Sequence, residues 1–222
     1  MTNKGKYYES QFEEATIELL REAHWQYAFG DDIHRKYTDP LIEEDLRNFL
    51  AVQYKDKNLT TSEMDSIIAN LRNTGGQNDY YALRNAFLLY RDGYDFAYSD
   101  GRDNPFRLEY IDFGHPDHNI FRCVNQFVME QGRENRRPDI LLFINGIPVC
   151  IIELKNPTKQ NATIRDAHTQ ICTRYMRDIS ALLKYCALAV ISDGAKNALG
   201  TTYTPFEFFY EWKKIENEDK AG

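Results

Sequence analysis

Residues 137–155, RPDILLFINGIPVCIIELK, decide the fold because they contain two apolar runs separated by Asn145-Gly146. Asn-Gly between runs of β-forming residues is the strongest short signal for a β-hairpin. Asp139 stands at the start of the first run, and Glu153 and Lys155 stand at the end of the second. A buried charge is costly unless it has a partner or a metal. The stretch therefore predicts a core hairpin with a polar site at its open end.

The register of this hairpin decides whether the three charged side chains can meet. Glu153 and Lys155 are two residues apart, so they face the same side of a strand. With a strict two-residue turn, Asp139 opposes the residue before Glu153 and faces away from it. A shared site requires a bulge, a longer loop, or Asp139 just outside the paired strand. Because Pro148 has no N–H for the ladder, we predict a bulge or irregular loop near residues 144–149.

Two carboxylates and a lysine are the groups that metal-assisted phosphodiester hydrolysis uses. The carboxylates provide oxygen ligands for Mg²⁺, and the lysine provides a cation near the attacking water. The alternative is a structural ion pair between Glu153 and Lys155 at the end of a strand, without chemistry.

The composition indicates one large domain or two small ones that can build a full core. The chain has 222 residues, of which 42% are hydrophobic and 14% aromatic. No apolar run approaches the roughly 20 residues of a membrane span. The N-terminus lacks the apolar stretch of a signal peptide, and the four cysteines have no CxxC spacing. We therefore expect reduced thiols in a cytoplasmic protein. The net charge of −7 argues against a strong free-standing DNA binder.

Helical periodicity dominates the first ninety residues. Ser10 to Ala23 forms the first predicted helix, in which Ser10 and Glu13 match a capping box. The later helices are predicted from Asp39-Pro40, from Ser62 to Leu71 and from Asp79 to Arg91.

The second half alternates predicted strands with one long helix. Strands are predicted at Tyr94–Tyr98, Phe106–Phe113, Ile120–Met129 and Ala187–Ser192, and the aromatic run Phe206–Trp212 is predicted to cover the core. His115 and His118 could form a metal pair, but two histidines in a Pro-containing turn, without a third ligand in reach by sequence, favour a plain loop.

A helix is predicted from Ile164 to Ile179. Its apolar stripe contains Ile164, Ala167, Ile171 and Tyr175, whereas Gln170 and Arg174 share another face with Arg177 beside them.

The wider string is similar to a known family. Pro138-Asp139 followed by Glu153-Leu154-Lys155 fits the PD-(D/E)xK nuclease superfamily. The longer string, which adds Arg137, Asn145-Gly146-Ile147-Pro148 and Asn156-Pro157, resembles the N-terminal nuclease domain of the R (restriction and motor) subunit of type I restriction endonucleases. The likeness extends from about residue 9 to 214.

This resemblance implies roles for specific residues. Asp139 and Glu153 would bind Mg²⁺ (Mn²⁺ as a possible substitute), with the Leu154 carbonyl as a further ligand. Lys155 would orient water or stabilise the developing charge. Glu13 matches the family's glutamate that reaches the active site from the opening helix, and for it the capping box is the structural alternative.

The family's supporting pair departs from this sequence at one position. The family has Gln and, four residues later, Tyr. Here Gln170 is followed by Arg174 and then Tyr175. A one-residue helical irregularity could return Tyr175 to the site; otherwise Arg174 could serve through a phosphate. Arg174, Tyr175 and Arg177 are candidate DNA contacts, and a solvated basic face is the alternative for Arg177.

The resemblance implies an α/β fold, with a mixed central β-sheet of about five strands, flanked by helices. We expect one restriction-endonuclease-like (PD-(D/E)xK) nuclease domain over residues 1–214. It would contain extra N-terminal helices (a helical insertion at 39–91), and residues 215–222 would form a polar tail or linker toward a missing motor region.

The implied function is Mg²⁺-dependent cleavage of double-stranded DNA within a type I restriction–modification complex. The implied partners are modification (methyltransferase) and specificity subunits. No GxxxxGK[ST] loop occurs, so ATP would be bound only by the full-length subunit. The alternatives are a catalytically silent docking scaffold of the same subunit and a stand-alone PD-(D/E)xK repair or defence nuclease.

Overall fold

The computed structural model of the protein describes residues 4–155 and 163–212, with side chains from Ser10 onward. The helices are α1 (Lys4–Glu22), α2 (Glu43–Gln53), α3 (Thr61–Asn73), α4 (Asp79–Asp92), α5 (Ile164–Thr169), a π-helical segment (Gln170–Tyr175), α6 (Met176–Asp178) and α7 (Ser180–Leu183). The strands are β1 (Gln26–Phe29), β2 (Tyr94–Phe96), β3 (Phe106–Leu108), β4 (Phe121–Asn125), β5 (Met129–Gln131), β6 (Glu134–Arg136), β7 (Ile140–Ile144), β8 (Ile147–Leu154), β9 (Leu188–Ser192), β10 (Asn197–Gly200) and β11 (Tyr210–Glu211). Asn156-Pro157 of the family string and the predicted tail at 215–222 lie outside the described residues.

A seven-stranded mixed sheet forms the centre, in the order β1-β4-β7-β8-β9-β10-β11. The pairs β1–β4 and β8–β9 are parallel, and the other neighbours are antiparallel. Two small hairpins, β2–β3 and β5–β6, lie outside it. The prediction of a mixed α/β sheet is confirmed, whereas the predicted number of about five strands was too low. The last two described strands, β10 and β11, are only four and two residues long and gave little sequence signal.

Alternation along β7 and β8 places helices on both faces of the sheet. Leu141 and Ile151 pack with α5 and the π-helical segment on one face. Ile140 and Ile152 pack with Ile17 of α1 on the other face. A third cluster joins α2, α3 and α4 to the β2–β3 hairpin. The hairpin predicted from the sequence is therefore the centre of the fold, as successive strand side chains point to opposite faces.

The Asn145-Gly146 turn is also an anchor for the helices. Asn145 and Gly146 have φ values of 50° and 77° and join Ile144 to Ile147 by a two-residue turn. The buried Asn145 side chain accepts from the amide of Ile120 at 2.7 Å and donates to the carbonyl of Tyr110 at 2.9 Å. The turn therefore connects β4 and the segment after β3 to the hairpin.

Several predicted helix boundaries were wrong for local reasons. The first helix begins by Lys4, so Ser10 lies inside it and the predicted capping box with Glu13 does not form. The second begins at Glu43 rather than at Asp39-Pro40, because Asp39 caps a short turn at Leu41 and the amide of Ile42 donates to the hairpin turn. Helices α3 and α4 match their predictions within two residues.

Three predicted strands were too long. The run from Phe106 leaves the ladder after Leu108, because the Tyr54 hydroxyl bonds both the amide and the carbonyl of Glu109. The run from Ile120 ends before Gln126, whose φ of 56° turns the chain away from the sheet. The strand from Tyr94 ends at Phe96.

The aromatic run before the chain end covers the core only in part. Phe206 and Phe209 pack against it, but Phe208, Tyr210 and Trp212 are exposed. All four cysteines are free thiols, as predicted. Among residues 4–155 and 163–212, no helix has the length and apolar character needed to cross a membrane.

Candidate functional site

A β-bulge brings Asp139 opposite Glu153. Leu142 pairs with Cys150 but Phe143 pairs with Pro148, so Val149 is an extra residue in β8. Because Ile140 then pairs with Ile152, Asp139 lies across from Glu153. The predicted bulge near residues 144–149 is therefore confirmed, together with the strict two-residue turn.

Asp139 is held in this position by the main chain of the neighbouring strand. Its Oδ2 accepts a hydrogen bond from the amide of Leu154 at 2.8 Å. The side chains of Asp139 and Glu153 therefore approach each other at the open end of the hairpin, half-buried and buried, respectively.

Glu153 is the centre of a closed hydrogen-bonded group. Only 1% of Glu153 is exposed. Its Oε1 accepts from the Lys155 ammonium at 2.8 Å and from the Gln170 amide. The Lys155 Nζ also donates to Gln170 Oε1 at 2.9 Å. The group joins the end of β8 to the helix that follows, and it uses three residues singled out from the sequence.

Burial and the neighbouring carboxylate control the protonation of Glu153. The pKa of Glu153 rises from 4.5 to about 8, because burial and then the Asp139 carboxylate raise it while Lys155 opposes the rise. Two carboxyl groups this close share a proton at neutral pH, unless a cation stabilises both charges. Hard oxygen donors of this kind are the ligands that Mg²⁺ and Mn²⁺ prefer. The donor set of Asp139 and Glu153 therefore fits a divalent cation.

A π-helical segment brings Tyr175 into the same group. From Gln170 to Tyr175 the helix widens by one residue per turn. The Tyr175 hydroxyl accepts from Gln170 Nε2 at 2.7 Å and donates to Glu153 Oε2 at 3.3 Å. The irregularity considered from the sequence is therefore present, and Tyr175 rather than Arg174 faces the carboxylate.

The three candidate DNA contacts differ in exposure. Tyr175 is 2% exposed and is covered by the core, whereas Arg174 and Arg177 lie on the surface. The Arg177 guanidinium donates to the buried Asp178 at 2.6 Å. On geometry, an incoming phosphate could reach Arg174 and Arg177, but it could reach Tyr175 only after the covering side chains moved.

Glu13 of α1 approaches the site through two amide side chains. It accepts from Asn125 Nδ2 at 2.7 Å and from Gln126 Nε2 at 2.9 and 3.0 Å. The main-chain amide of Gln126 also donates to the carbonyl of Asp139 at 3.2 Å. Gln126 therefore connects Glu13 to the residue that carries the first carboxylate. A cavity of about 420 Å³ borders Glu13, Asn125 and Gln126.

The sequence gave no role to Asn125 and Gln126. The available signal was a pair of adjacent amide side chains inside the predicted strand Ile120–Met129, which indicates that the strand ends early. His115 and His118 lie in a loop, as predicted, around the single 3₁₀ turn Pro116–His118. Asp112 lies next to both rings and was missed as their third neighbour.

Comparison with known proteins identifies the family of the chain. The family model of the type I restriction enzyme R protein N terminus matches residues 6–208. The chain is 28% identical, over 96% of its length, to the HindI endonuclease subunit of Haemophilus influenzae, a type I restriction enzyme. It is 29% identical, over 93% of its length, to the putative type I restriction enzyme MjaIXP endonuclease subunit of Methanocaldococcus jannaschii.

The matched regions are only part of those relatives. The alignments cover 21% of the Haemophilus protein and 20% of the Methanocaldococcus protein, so the chain spans about a fifth of the curated relatives it matches. Because the family model covers most of the chain, the chain belongs to the family of type I restriction enzyme R protein N termini.

Proposed function

We propose that the chain is a PD-(D/E)xK nuclease domain that hydrolyses phosphodiester bonds of double-stranded DNA with Mg²⁺. The observation that carries the proposal is the bulge at Val149, which turns Asp139 toward Glu153 and Lys155. A hairpin without that extra residue would point the Asp139 and Glu153 side chains to opposite faces of the sheet.

Each residue contributes one part of the hydrolysis. Asp139, Glu153 and the Leu154 carbonyl would hold the cation, which when bound would polarise the phosphate and lower the pKa of an attacking water. Lys155 would move from the Glu153 carboxylate to orient that water and to stabilise charge on the phosphorus oxygens. Gln170 and Tyr175 would hold Glu153 in place, and Glu13 would act from α1, next to Gln126, as a further ligand or base.

In the proposed reaction a P–O bond to the water oxygen forms and the P–O bond to the deoxyribose oxygen breaks. The attacking water releases a proton to solvent, and the leaving deoxyribose oxygen takes one up. Arg174 and Arg177 would contact the DNA backbone, each by pairing with a phosphate. With a net charge of −7 the chain would hold DNA weakly by itself. The rest of the full subunit would therefore provide most of the DNA-binding affinity. The partners of the chain in the cytoplasm would be an ATP-driven motor, modification subunits and a specificity subunit.

We further propose that residues 1–214 form one domain, with residues 39–91 as a helical insertion and residues 215–222 leading toward the motor. The names of the relatives favour this assignment over a stand-alone repair or defence nuclease, since both are type I restriction enzyme subunits. The alternative of a silent docking scaffold is favoured by one observation, the 2.8 Å ion pair between Lys155 and Glu153.

Calorimetric titration with Mn²⁺ separates the nuclease from the silent scaffold. We expect a carboxylate site in the native chain that is lost in Asp139→Asn and Glu153→Gln and retained in Glu211→Gln, a change of an exposed glutamate. Because the metal competes with the proton on Glu153, whose pKa is about 8, affinity should rise as the pH increases from 6 to 8.

Plasmid cleavage in Mn²⁺ completes the test. The native chain should nick or linearise supercoiled plasmid, and Lys155→Ala should lose that activity while it still binds the metal. Metal binding that is equal in the native chain and in Glu153→Gln would contradict the proposed site. No binding to either would support the silent scaffold.

A further inference from the structure

A second group of metal-ligating side chains lies in the loop between β3 and β4. Asp112 is buried, and His115 and His118 are exposed on either side of its carboxylate. Their Nδ1 atoms are 3.5 and 3.1 Å from Asp112 Oδ2. The two rings are stacked, with centroids 4.9 Å apart and planes 17° from parallel. One carboxylate oxygen and two ring nitrogens therefore converge on one point.

Hydrogen bonding alone does not account for this convergence. Gln53 Nε2 also donates to Asp112 Oδ2 at 3.0 Å, so three nitrogens face one oxygen. A carboxylate oxygen has two lone pairs, and the Gln53 amide occupies one of them. The two rings cannot both hydrogen-bond to the single lone pair that remains. Stacked rings that turn their Nδ1 atoms to the same side are, by contrast, the arrangement that a shared cation would require.

The separations fit the coordination sphere of a transition metal. Bonds of about 2.0–2.1 Å in a four-coordinate site place neighbouring ligand atoms about 3.3 Å apart. The observed 3.1 and 3.5 Å lie on either side of that value, and all three candidate atoms lie within 4.8 Å of one another. Small rotations of two exposed imidazoles would complete the geometry, while the solvent side leaves room for water or another ligand.

The carboxylate is fixed and ionised before any metal arrives. Gln53 at the end of α2 holds Oδ2, and the main-chain amide of His115 donates to Oδ1 at 2.8 Å. Burial opposes ionisation of Asp112, but bonds from the His115 amide, Gln53 and His118 outweigh it and keep its pKa below the usual range. Partners that orient a ligand in this way are typical of metal sites.

The group is separate from the candidate nuclease site. Asn119 bonds the amide and the carbonyl of Asp112 and connects to the Asn145 side chain at 2.8 Å. The loop therefore rests on the turn end of the β7–β8 hairpin, whereas Asp139 lies at the open end. Six residues of extended chain separate Asn145 from Asp139, a span of about 20 Å.

We propose that Asp112, His115 and His118 bind a first-row transition metal ion of the Zn²⁺ class, at a site distinct from the Mg²⁺ site. Two imidazoles with one carboxylate select such ions over Mg²⁺, which prefers oxygen donors. The bound ion joins the loop to the end of α2 and to the hairpin turn. Its function is to fasten the helical insertion to the central sheet.

The test uses Co²⁺, whose visible absorption reports its ligands, on the chain without a histidine tag. Excess Mg²⁺ is present throughout to occupy the carboxylate site. We expect one equivalent of Co²⁺ with a visible band that Zn²⁺ displaces, and at least a tenfold loss of affinity in His115→Ala and in His118→Ala. Both rings are exposed, so these variants should unfold at the temperature of the metal-free native chain.

Two controls locate the ion. His34→Ala removes an exposed histidine outside the group, and Glu153→Gln disables the carboxylate site; both should bind Co²⁺ as the native chain does. Binding that is unchanged in His115→Ala and His118→Ala, binding lost in Glu153→Gln, or no Co²⁺ bound by the native chain would each overturn the proposal.

Discussion

Glu153→Gln is expected to stabilise the metal-free domain at pH 9 by roughly 3–5 kcal/mol and to leave its stability nearly unchanged at pH 4.5. The physical cause is the buried carboxyl, whose pKa rises from 4.5 to about 8 on folding because of burial and of Asp139. Glutamine imitates the protonated acid. Its oxygen can accept from Lys155 and Gln170, and its amide cannot ionise.

The direction of the change in stability with pH follows from proton binding. Between pH 4.5 and about 8 the folded chain keeps a proton on Glu153 that the unfolded chain releases. The native chain therefore has the full contribution of this group below pH 4.5 and loses it as the pH rises through about 8. In Glu153→Gln that loss is absent, so the difference between variant and native grows across the same interval and then levels off.

Urea unfolding at half-unit steps from pH 4.5 to 9.5, with chelator present, measures this difference. Glu211→Gln is the matched control, since Glu211 is exposed and its variant should follow the native curve at every pH. Adding Mg²⁺ should stabilise the native chain at pH 8 and not the Glu153→Gln chain. A constant difference between the Glu153→Gln and native chains across the whole range would show that Glu153 does not titrate as described.

Gly146→Ala should be strongly destabilising, with a loss of at least about 3 kcal/mol and roughly 10 °C in Tm. Gly146 has a φ of 77°, and a Cβ there would lie 2.1 Å from the carbonyl oxygen of Ile42. That carbonyl accepts the amide of Leu46 in the first turn of α2, and the Ile42 amide donates to Gly146. The first turn of α2 would therefore have to move away from the hairpin to make room for the methyl group.

Gly132→Ala isolates the contact from the backbone strain. Gly132 has a φ of 62°, and a Cβ there meets no atom within 4 Å. Its variant carries only the left-handed cost of about 1 kcal/mol. Thermal unfolding of both variants should differ by at least about 2 kcal/mol. Equal losses of unfolding free energy would mean that α2 shifts at little cost, and that the contact between the helices and the turn is weak.

Local patterns predicted the centre of the fold because they act over a few residues. Asn145-Gly146 specified the turn, and a face shared by Asp139 and Glu153 required a bulge, a longer loop or Asp139 just outside the paired strand. Tertiary contacts decided what these patterns could not. The start of α2 depends on the bond between Ile42 and Gly146, and the end of β3 depends on the Tyr54 hydroxyl. Both partners are distant along the chain, so no local signal marks them.

The residues of the candidate site also fall into two groups, those that the sequence indicated and those that only the folded chain shows. Asp139, Glu153 and Lys155 were found from their spacing on a hairpin, and Gln170 and Glu13 from the family resemblance. Asn125 and Gln126 were assigned no role, because their bonds to Glu13 join α1 to the end of β4 across more than a hundred residues. Asp112, His115 and His118 recur at every third residue, but only the folded loop brings the two exposed rings to the buried Asp112 carboxylate.

The widened turn between Gln170 and Tyr175 has a consequence for finding related chains. A search pattern that requires three residues between the glutamine and the tyrosine would miss this protein, although the two side chains touch. A pattern that also allows four would find it, and it would find chains in which the aromatic ring has been shifted by an insertion. Spacing in such a pattern is a property of the helix geometry, and one added residue leaves the contact intact.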